Sequence, residues 1–384
     1  MSQRIPLAWL QLRHEKMKLF AAVSGVMVSV VLMWMQLGLL QALFASAVEF
    51  HGAVNGELIV IHGQYEYLLR NQPFSSRLLH RLLGSPHVKE IYPIYTQPLE
   101  WKNPWTGEVR TIQCYGIDSD KPAMNLPMLA SQLPILRQTD TFLYDRKSRP
   151  GFGPVLEEFA RGAIVEPEIN RRKVKLVGLT DLGASFGVDA NIVMSHANFL
   201  RLAADRPSGQ IDFGVIKLQP NSDVAEIQSQ FQAILGKEVD VLTREELCER
   251  ELVYWRGATP IGVVFTTGTF VGFFIGFIVV YQILYTDVTT HLPHFATMKA
   301  MGFSDGYLFR MVISQSLQLA ILGFVPGSLI AGLLYTGLRS ATLLPLQLEF
   351  SRGIFLLLAT ILMCTISGAL AIRKLRTADP ADVF

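Results

Sequence analysis

Charge is what this chain has least of. Only 17% of its 384 residues are Asp, Glu, Lys or Arg, against 50% hydrophobic, and the mean hydropathy is +0.31. That is too apolar for an ordinary soluble protein of this size. A net charge of +2 is too close to neutral to suggest a nucleic-acid binder. Cysteine is nearly absent: Cys114, Cys248 and Cys364 cannot form a disulfide framework. Cys114 and Cys248 fall in one segment and could pair in an oxidising compartment, but spacing alone shows no bond, and unpaired buried thiols are the expected state. Catalytic signatures are missing too. There is no GxxxxGK[ST], HExxH, CxxC or GxSxG pattern, and Gly236-Lys237 lacks the earlier glycine of a phosphate cradle. His51 and His62 stand at no recognised ligand spacing from carboxylates. No metal, no cofactor and no enzymatic activity are expected of this chain by itself.

What is present is four apolar runs long enough to cross a bilayer: Met17 to Phe44, Ile261 to Tyr285, Met311 to Tyr335 and Ile354 to Ile372. The first exceeds the apolar stretch of a cleavable signal and lacks a clean cleavage site, so it reads as a retained helix. The resulting plan is residues 1–16, a helix lying along the interface or a downward extension of the first span; 17–44, span one; 45–259, a large external domain; 260–285, span two; 286–310, a polar loop; 311–336, span three; 337–353, a short loop; 354–372, span four; and 373–384, a tail. Four spans put both termini and the 286–310 loop on one side. That side carries nine short-flank basic residues, Arg4, Arg13, Lys16, Lys18, Lys299, Arg310, Arg373, Lys374 and Arg376, against Arg339 and Arg352 opposite. The asymmetry places the termini in the cytoplasm.

Within the external domain, strand, helix and strand signals occur twice: Glu57 to His62, Ser75 to Leu83, Val88 to Tyr95, then Phe213 to Leu218, Val224 to Leu235, Glu238 to Leu242. Joined in one sheet, they make a ferredoxin-like α+β layer. Residues 97–205 between them are turn-rich and read as a mostly β insertion, with a hairpin around WKNPWTG, a loop at SRPGFGP and a strand over Arg171 to Leu179. Asn170, Arg171, Arg172 and Lys173 form a basic cluster, read as a solvated strand end with contact to an acidic partner or lipid headgroup as the alternative. Thr243 and Glu246 form a capping box opening a helix that runs toward Pro260 and span two. The fold class is therefore an α-helical membrane protein of four spans with a large extracytoplasmic α+β domain.

Two features of the spans stand out. Gly268, Gly272 and Gly276 recur at intervals of four, a small-residue seam onto which a partner helix, from this chain or a second copy, should pack. Pro326 and Gly327 mark an expected kink in span three. The polar stretch between spans two and three, TDVTTHLPHFATMKAMGFSDGY, cannot lie unpaired in hydrocarbon. Its helix formers predict a short helix from Pro293 to Met301, ended by Gly302.

The reading HFATMKAMGF in that position resembles the MacB/FtsX-type permeases of ABC systems, whose corresponding loop reads like E-[YF]-A-T-L-K-A-x-G; Phe295, Ala296, Thr297, Met298, Lys299, Ala300 and Gly302 match. IPLAWLQLRHEK, FSSRLLHRLLG, WKNPWTG, SRPGFGP, VKLVGLTDLGASFG and NFLR are similar to the DevC branch, the permeases of cyanobacterial heterocyst-type exporters. His294 departs from the branch, which usually has an acidic residue there. The resemblance implies a homodimer in a cyanobacterial inner membrane. A separate cytoplasmic ABC ATPase subunit would lie below it, with a periplasmic membrane-fusion adaptor and a TolC-like outer-membrane channel above. The activity implied is export of a glycolipid or another amphiphile by mechanotransmission. His291, His294, Phe295, Met298, Lys299, Met301 and Gly302 would form the ATPase-coupling site. The alternative is an FtsX-like transmembrane regulator of a cell-wall hydrolase.

Overall fold

The computed structural model describes residues 16–207 and 209–372. The expected interfacial segment 1–15 and the tail 373–384 lie outside the described residues. The described residues divide into a membrane unit of residues 16–42, 261–340 and 346–372 and an external unit of residues 43–207, 209–260 and 341–345.

In chain order, helix α1 is Lys16–Ala47 and α2 is Glu49–Ala53. Strand β1 (Leu58–His62) and the single helical turn α3 (Arg77–His80) follow, then β2 (Val88–Lys102) and β3 (Val109–Ile117). Next come β4 (Thr141–Asp145), β5 (Lys175–Thr180), β6 (Asn191–Ser195) and α4 (His196–Leu202). Strand β7 (Phe213–Leu218), α5 (Val224–Leu235), β8 (Val239–Thr243) and α6 (Arg244–Gly257) close the external unit. The last four helices are α7 (Ile261–Thr290), α8 (Leu292–Ala300), α9 (Asp305–Thr342) and α10 (Phe350–Ala371).

In the external unit the sheet order is β8-β1-β7-β2-β3-β6-β4-β5, with the two-residue strands Glu168–Ile169 and Arg172–Lys173 attached beside β2. The first four strands pair antiparallel throughout, so the two β-α-β units interleave as the ferredoxin-like layer requires. The run LIVIH explains why β1 sits in the middle. Leu58 and Val60 face a core built with Leu79, Ile227 and Phe231, whereas Ile59 and Ile61 face Phe50, Tyr65, Phe213 and Leu247. Both faces are buried, hence the unbroken apolar run.

Three expectations are corrected. The first helix shrinks from Ser75–Leu83 to one turn followed by turns, with Leu79 reaching the core from the helical turn and Leu82 from the turns after it. The insertion is not a separate body: β2 runs on through Lys102, pairing with β7 up to Ile94 and with β3 from Tyr95, so one strand carries the sheet into the inserted region. The strand expected over Arg171 to Leu179 is broken. Asn170 and Arg171 take positive φ values of 44° and 65° in a turn, and the pairing with β4 starts only at Lys175. Its inward residues are Val174 and Leu176, as the alternation predicts.

The hairpin over WKNPWTG joins β2 to β3, with Lys102 opposite Val109. Asn103 Oδ1 accepts from the Trp105 and Thr106 amides, and Gly107 adopts φ 76°, the local bonding that makes Asn a turn former. The capping box forms in full: Thr243 Oγ1 accepts from the Glu246 amide at 3.2 Å, and Glu246 Oε2 accepts from the Thr243 amide at 2.8 Å.

In the membrane unit α1 is the central helix. Ala22, Val26, Ser29, Val30, Met33 and Trp34 are all buried. One face of α1 meets α9, where a Cβ on Gly327 would stand 3.0 Å from the Met27 carbonyl oxygen. Trp34 Nε1 donates to Ser328 Oγ at 3.0 Å, and the Tyr335 hydroxyl donates to the Trp34 carbonyl. Helix α9 runs continuously through Pro326. The four helices α1, α7, α9 and α10 are each apolar and long enough to cross a membrane.

Candidate functional site

The polar stretch between the second and third spans forms a compact knob in the membrane unit. Helix α7 continues to Thr290, so Asp287 lies on its last turn, and α9 already begins at Asp305. Between them α8 covers Leu292–Ala300 with Pro293 in its first turn, where proline loses no helical hydrogen bond. Its end is a Schellman motif. Gly302, at φ 92°, donates its amide to the Lys299 carbonyl at 3.0 Å, and the Phe303 amide donates to the Met298 carbonyl at 3.1 Å.

What holds the knob down is Phe295. Its side chain is 1% exposed and packs with Val288, Leu308, Val312 and Ile372, with Leu292, Met298 and Met311 closing the cluster. Among the predicted coupling residues Phe295 and Met298 thus face inward as anchors. Phe295 cannot itself touch a partner. The outward residues are Pro293, His294, Thr297, Met301 and Gly302, with Met301 65% exposed. His291 sits at the hinge from α7, its Nδ1 3.0 Å from the Asp287 carbonyl and 3.3 Å from Asp287 Oδ1. Its ring centroid is 5.7 Å from that of His294. Lys299 is half-buried at the end of α8.

Sequence reasoning missed Phe303 and Tyr307. Their rings lie 5.0 Å apart between centroids, tilted by 36°, and the two residues are 41% and 40% exposed, adding an aromatic step beside Met301. The signal was there: two aromatics in a segment too polar to be a core. Chemically the knob offers a shallow outward patch of mixed polar and apolar side chains on a buried aromatic anchor. Such a patch suits docking to a protein. No group of three or more His, Cys, Asp or Glu that could hold a metal occurs among the described residues.

The glycine seam lies on α7 and faces α1. A Cβ at Gly268 would fall 2.5 Å from Gln36 Cδ, and one at Gly272 would fall 3.3 Å from Leu32 Cβ. At Gly276 it would stand 2.6 Å from Met363 Sδ and closer still to Ser29 Oγ. The close approach lets Ser29 Oγ donate to the Gly272 carbonyl at 2.7 Å. The seam is therefore filled by this chain's own first span, with α10 adding Met363.

Comparison with known proteins finds no match among curated proteins. Among solved structures the chain is similar to the periplasmic region of MacB from Actinobacillus actinomycetemcomitans, at 10% identity and a TM-score of 0.36, covering 52% of this chain and 93% of that one. It is also similar to the extracellular domain of the noncanonic ABC-type transporter YknZ from Gram-positive bacteria, at 10% identity and a TM-score of 0.33, covering 48% of this chain and 99% of that one. Residues 266–380 match the model of the FtsX-like permease C-terminal domain. The match spans α8 and its Phe295 anchor together with most of the second span and the third and fourth spans, and it is over those residues that the chain is similar to FtsX-like permeases.

Proposed function

We propose that this protein is the permease subunit of an ABC exporter of the MacB/DevC type, and that it works in an inner membrane as a homodimer with a separate ATPase subunit. The observation that carries the proposal is the FtsX-like match over residues 266–380, a range that includes α8. In this reading the ATPase docks on the outward residues of the α8 knob, His294, Thr297, Met301 and Gly302, with Lys299 at its end and His291 at the hinge. Phe295 and Met298 transmit the load inward. A buried aromatic anchor suits that role, because a docking knob that could tilt on its own would waste the partner's motion. On the far side the external α+β domain would meet a periplasmic adaptor continuous with a TolC-like channel. Its shape change would expel a glycolipid or other amphiphile taken from the periplasm or outer leaflet, with no hydrophilic path needed through the four spans.

Co-purification tests the reading. Recovery of an ABC ATPase together with an adaptor and an outer-membrane channel is the expected result. Recovery of a cell-wall hydrolase instead would point to an FtsX-like regulator, which the same family match accommodates. In the reconstituted complex Lys299→Glu or Thr297→Trp should uncouple ATP hydrolysis from export with folding retained, and wild-type export in both variants would overturn the docking assignment.

A further inference from the structure

The external unit contains a buried carboxylate that no docking or packing role above uses. Glu251 is on α6, the helix that precedes the second span by three residues, and is 1% exposed. Its Oε2 accepts from the Tyr65 hydroxyl at 2.8 Å and from the Leu68 amide at 3.0 Å, and its Oε1 accepts from Trp255 Nε1 at 2.9 Å. His51 is on α2, the short helix that follows the first span by one residue, and is fully buried. Its Nε2 lies 2.7 Å from the Tyr65 hydroxyl oxygen and 3.4 Å from Glu251 Oε2.

The proton count orders this cluster. Tyr65 has one proton, and a carboxylate is a stronger acceptor than an imidazole nitrogen, so the phenol donates to Glu251 and accepts from His51 Nε2–H. The bed beneath is rigid: Phe50 stacks on Tyr115 at 4.7 Å, and Phe213 meets Phe50 at 5.1 Å and Tyr65 at 5.9 Å. Phe213 opens β7, so the cluster is tied to the sheet. At the other end Trp255 meets Tyr67 at 5.6 Å and Phe186 at 5.3 Å. The neighbouring cation, Arg250, is spent on Asp240 and on the Gly63 carbonyl. Burying a carboxylate gains little stability that an apolar side chain would not supply as well, whereas its directional bonds admit one register of the helices it joins.

We propose that Glu251 is a positioning residue that locks α2 to α6, so that displacement arriving along the chain from either the first or the second span reaches the β8-β1-β7-β2 layer as a single movement. This rests on the exporter reading. The lock has three keys: the Tyr65 bridge, His51 behind it, and the Trp255 indole on the other oxygen.

The test uses the full chain in detergent and its complex with the ATPase. Glu251→Gln keeps the shape but turns an amide N–H toward one of the three donors. Tyr65→Phe removes the bridge alone. Hydrogen exchange should show protection of the Leu68 amide and of α2 falling about tenfold or more in each variant, with β3 unchanged. The double variant should lose little beyond the worse single one. In the complex, the ATP-dependent distance change between spin labels at two exposed external positions should shrink in both variants while ATP hydrolysis persists, a readout that needs no cargo. Glu249→Gln, on the exposed face of α6 opposite Arg256, should leave both measurements unchanged. Unaltered Leu68 protection, or a wild-type distance change in Glu251→Gln, would overturn the lock. A wild-type complex with no ATP-dependent distance change would instead overturn the exporter reading, and the exchange data alone would then decide whether α2 and α6 are locked.

Discussion

At Asp212 burial pushes the carboxyl up to about 6, despite Arg206 Nη2 at 2.6 Å and the Thr96 amide at 2.7 Å, both of which favour its charge. The unfolded chain would titrate near 3.8. A raised folded value means that the native state holds the proton more tightly, so the stability it contributes is complete below about 3.8 and is lost as pH rises through about 6. The difference corresponds to stability on the order of 3 kcal/mol. Asp212→Asn should therefore flatten the decline in unfolding midpoint between these pH values, relative to wild type, in a fluorescence melt of the purified chain. A second buried acid, Asp145, is also raised by burial but accepts from the Leu182 and Gly183 amides and from Asn191 Nδ2. Both chains retain it, so it cancels in the comparison. Neither acid was visible as buried in the sequence, where each is one more Asp among loops.

For the helices, glycine spacing and one phenylalanine make separable predictions. Gly276→Ala forces a methyl against Ser29 and Met363, both on buried helix faces, and should cost about 1–3 kcal/mol of membrane-unit stability as overpacking does. Gly337→Ala, which meets nothing within 4 Å on α9, should be neutral or gain up to about 1 kcal/mol from helix propensity. Steric-trap or denaturant unfolding of the two variants checks the contrast, and equal effects would mean that the seam is not a packing surface. Phe295→Ala empties the anchor of α8 and should cost about 3–5 kcal/mol locally, seen as faster proteolytic cleavage within residues 286–307. The exposed Thr297→Ala should leave cleavage unchanged. The glycines at intervals of four and the helix end at Gly302 were legible because backbone geometry dictates them from local sequence. That Phe295 turns inward was not, since a helix of nine residues between two spans has no periodicity long enough to show which side meets them.

For the molecule as a whole, the proposed orientation has the knob in the cytoplasm and the hairpin tip at Trp105, which is 42% exposed, outside it. In intact cells a membrane-impermeant maleimide should label Trp105→Cys but not Met301→Cys, with both labelled after permeabilisation. The native thiols Cys114 and Cys364 are buried, and Cys248, pushed up to about 11 by burial, reacts slowly enough to serve as background. Labelling of Met301→Cys from outside would reverse the proposed orientation and remove the ATPase docking with it.

By itself the sequence determined the four spans, the capping box, the turn at WKNPWTG and the paired β-α-β units, because each depends on hydrophobic period or on bonding within a few residues. Only the tertiary structure decided the rest. One strand, β2, carries the ferredoxin-like layer and the insertion as one sheet, since register depends on partners more than a hundred residues away. The glycine seam is occupied by the chain's own first span. His51, Tyr65 and Glu251, scattered over two hundred residues, converge on one buried carboxylate: the free-energy cost of burying it is borne only where distant donors meet it, and no local pattern records that meeting.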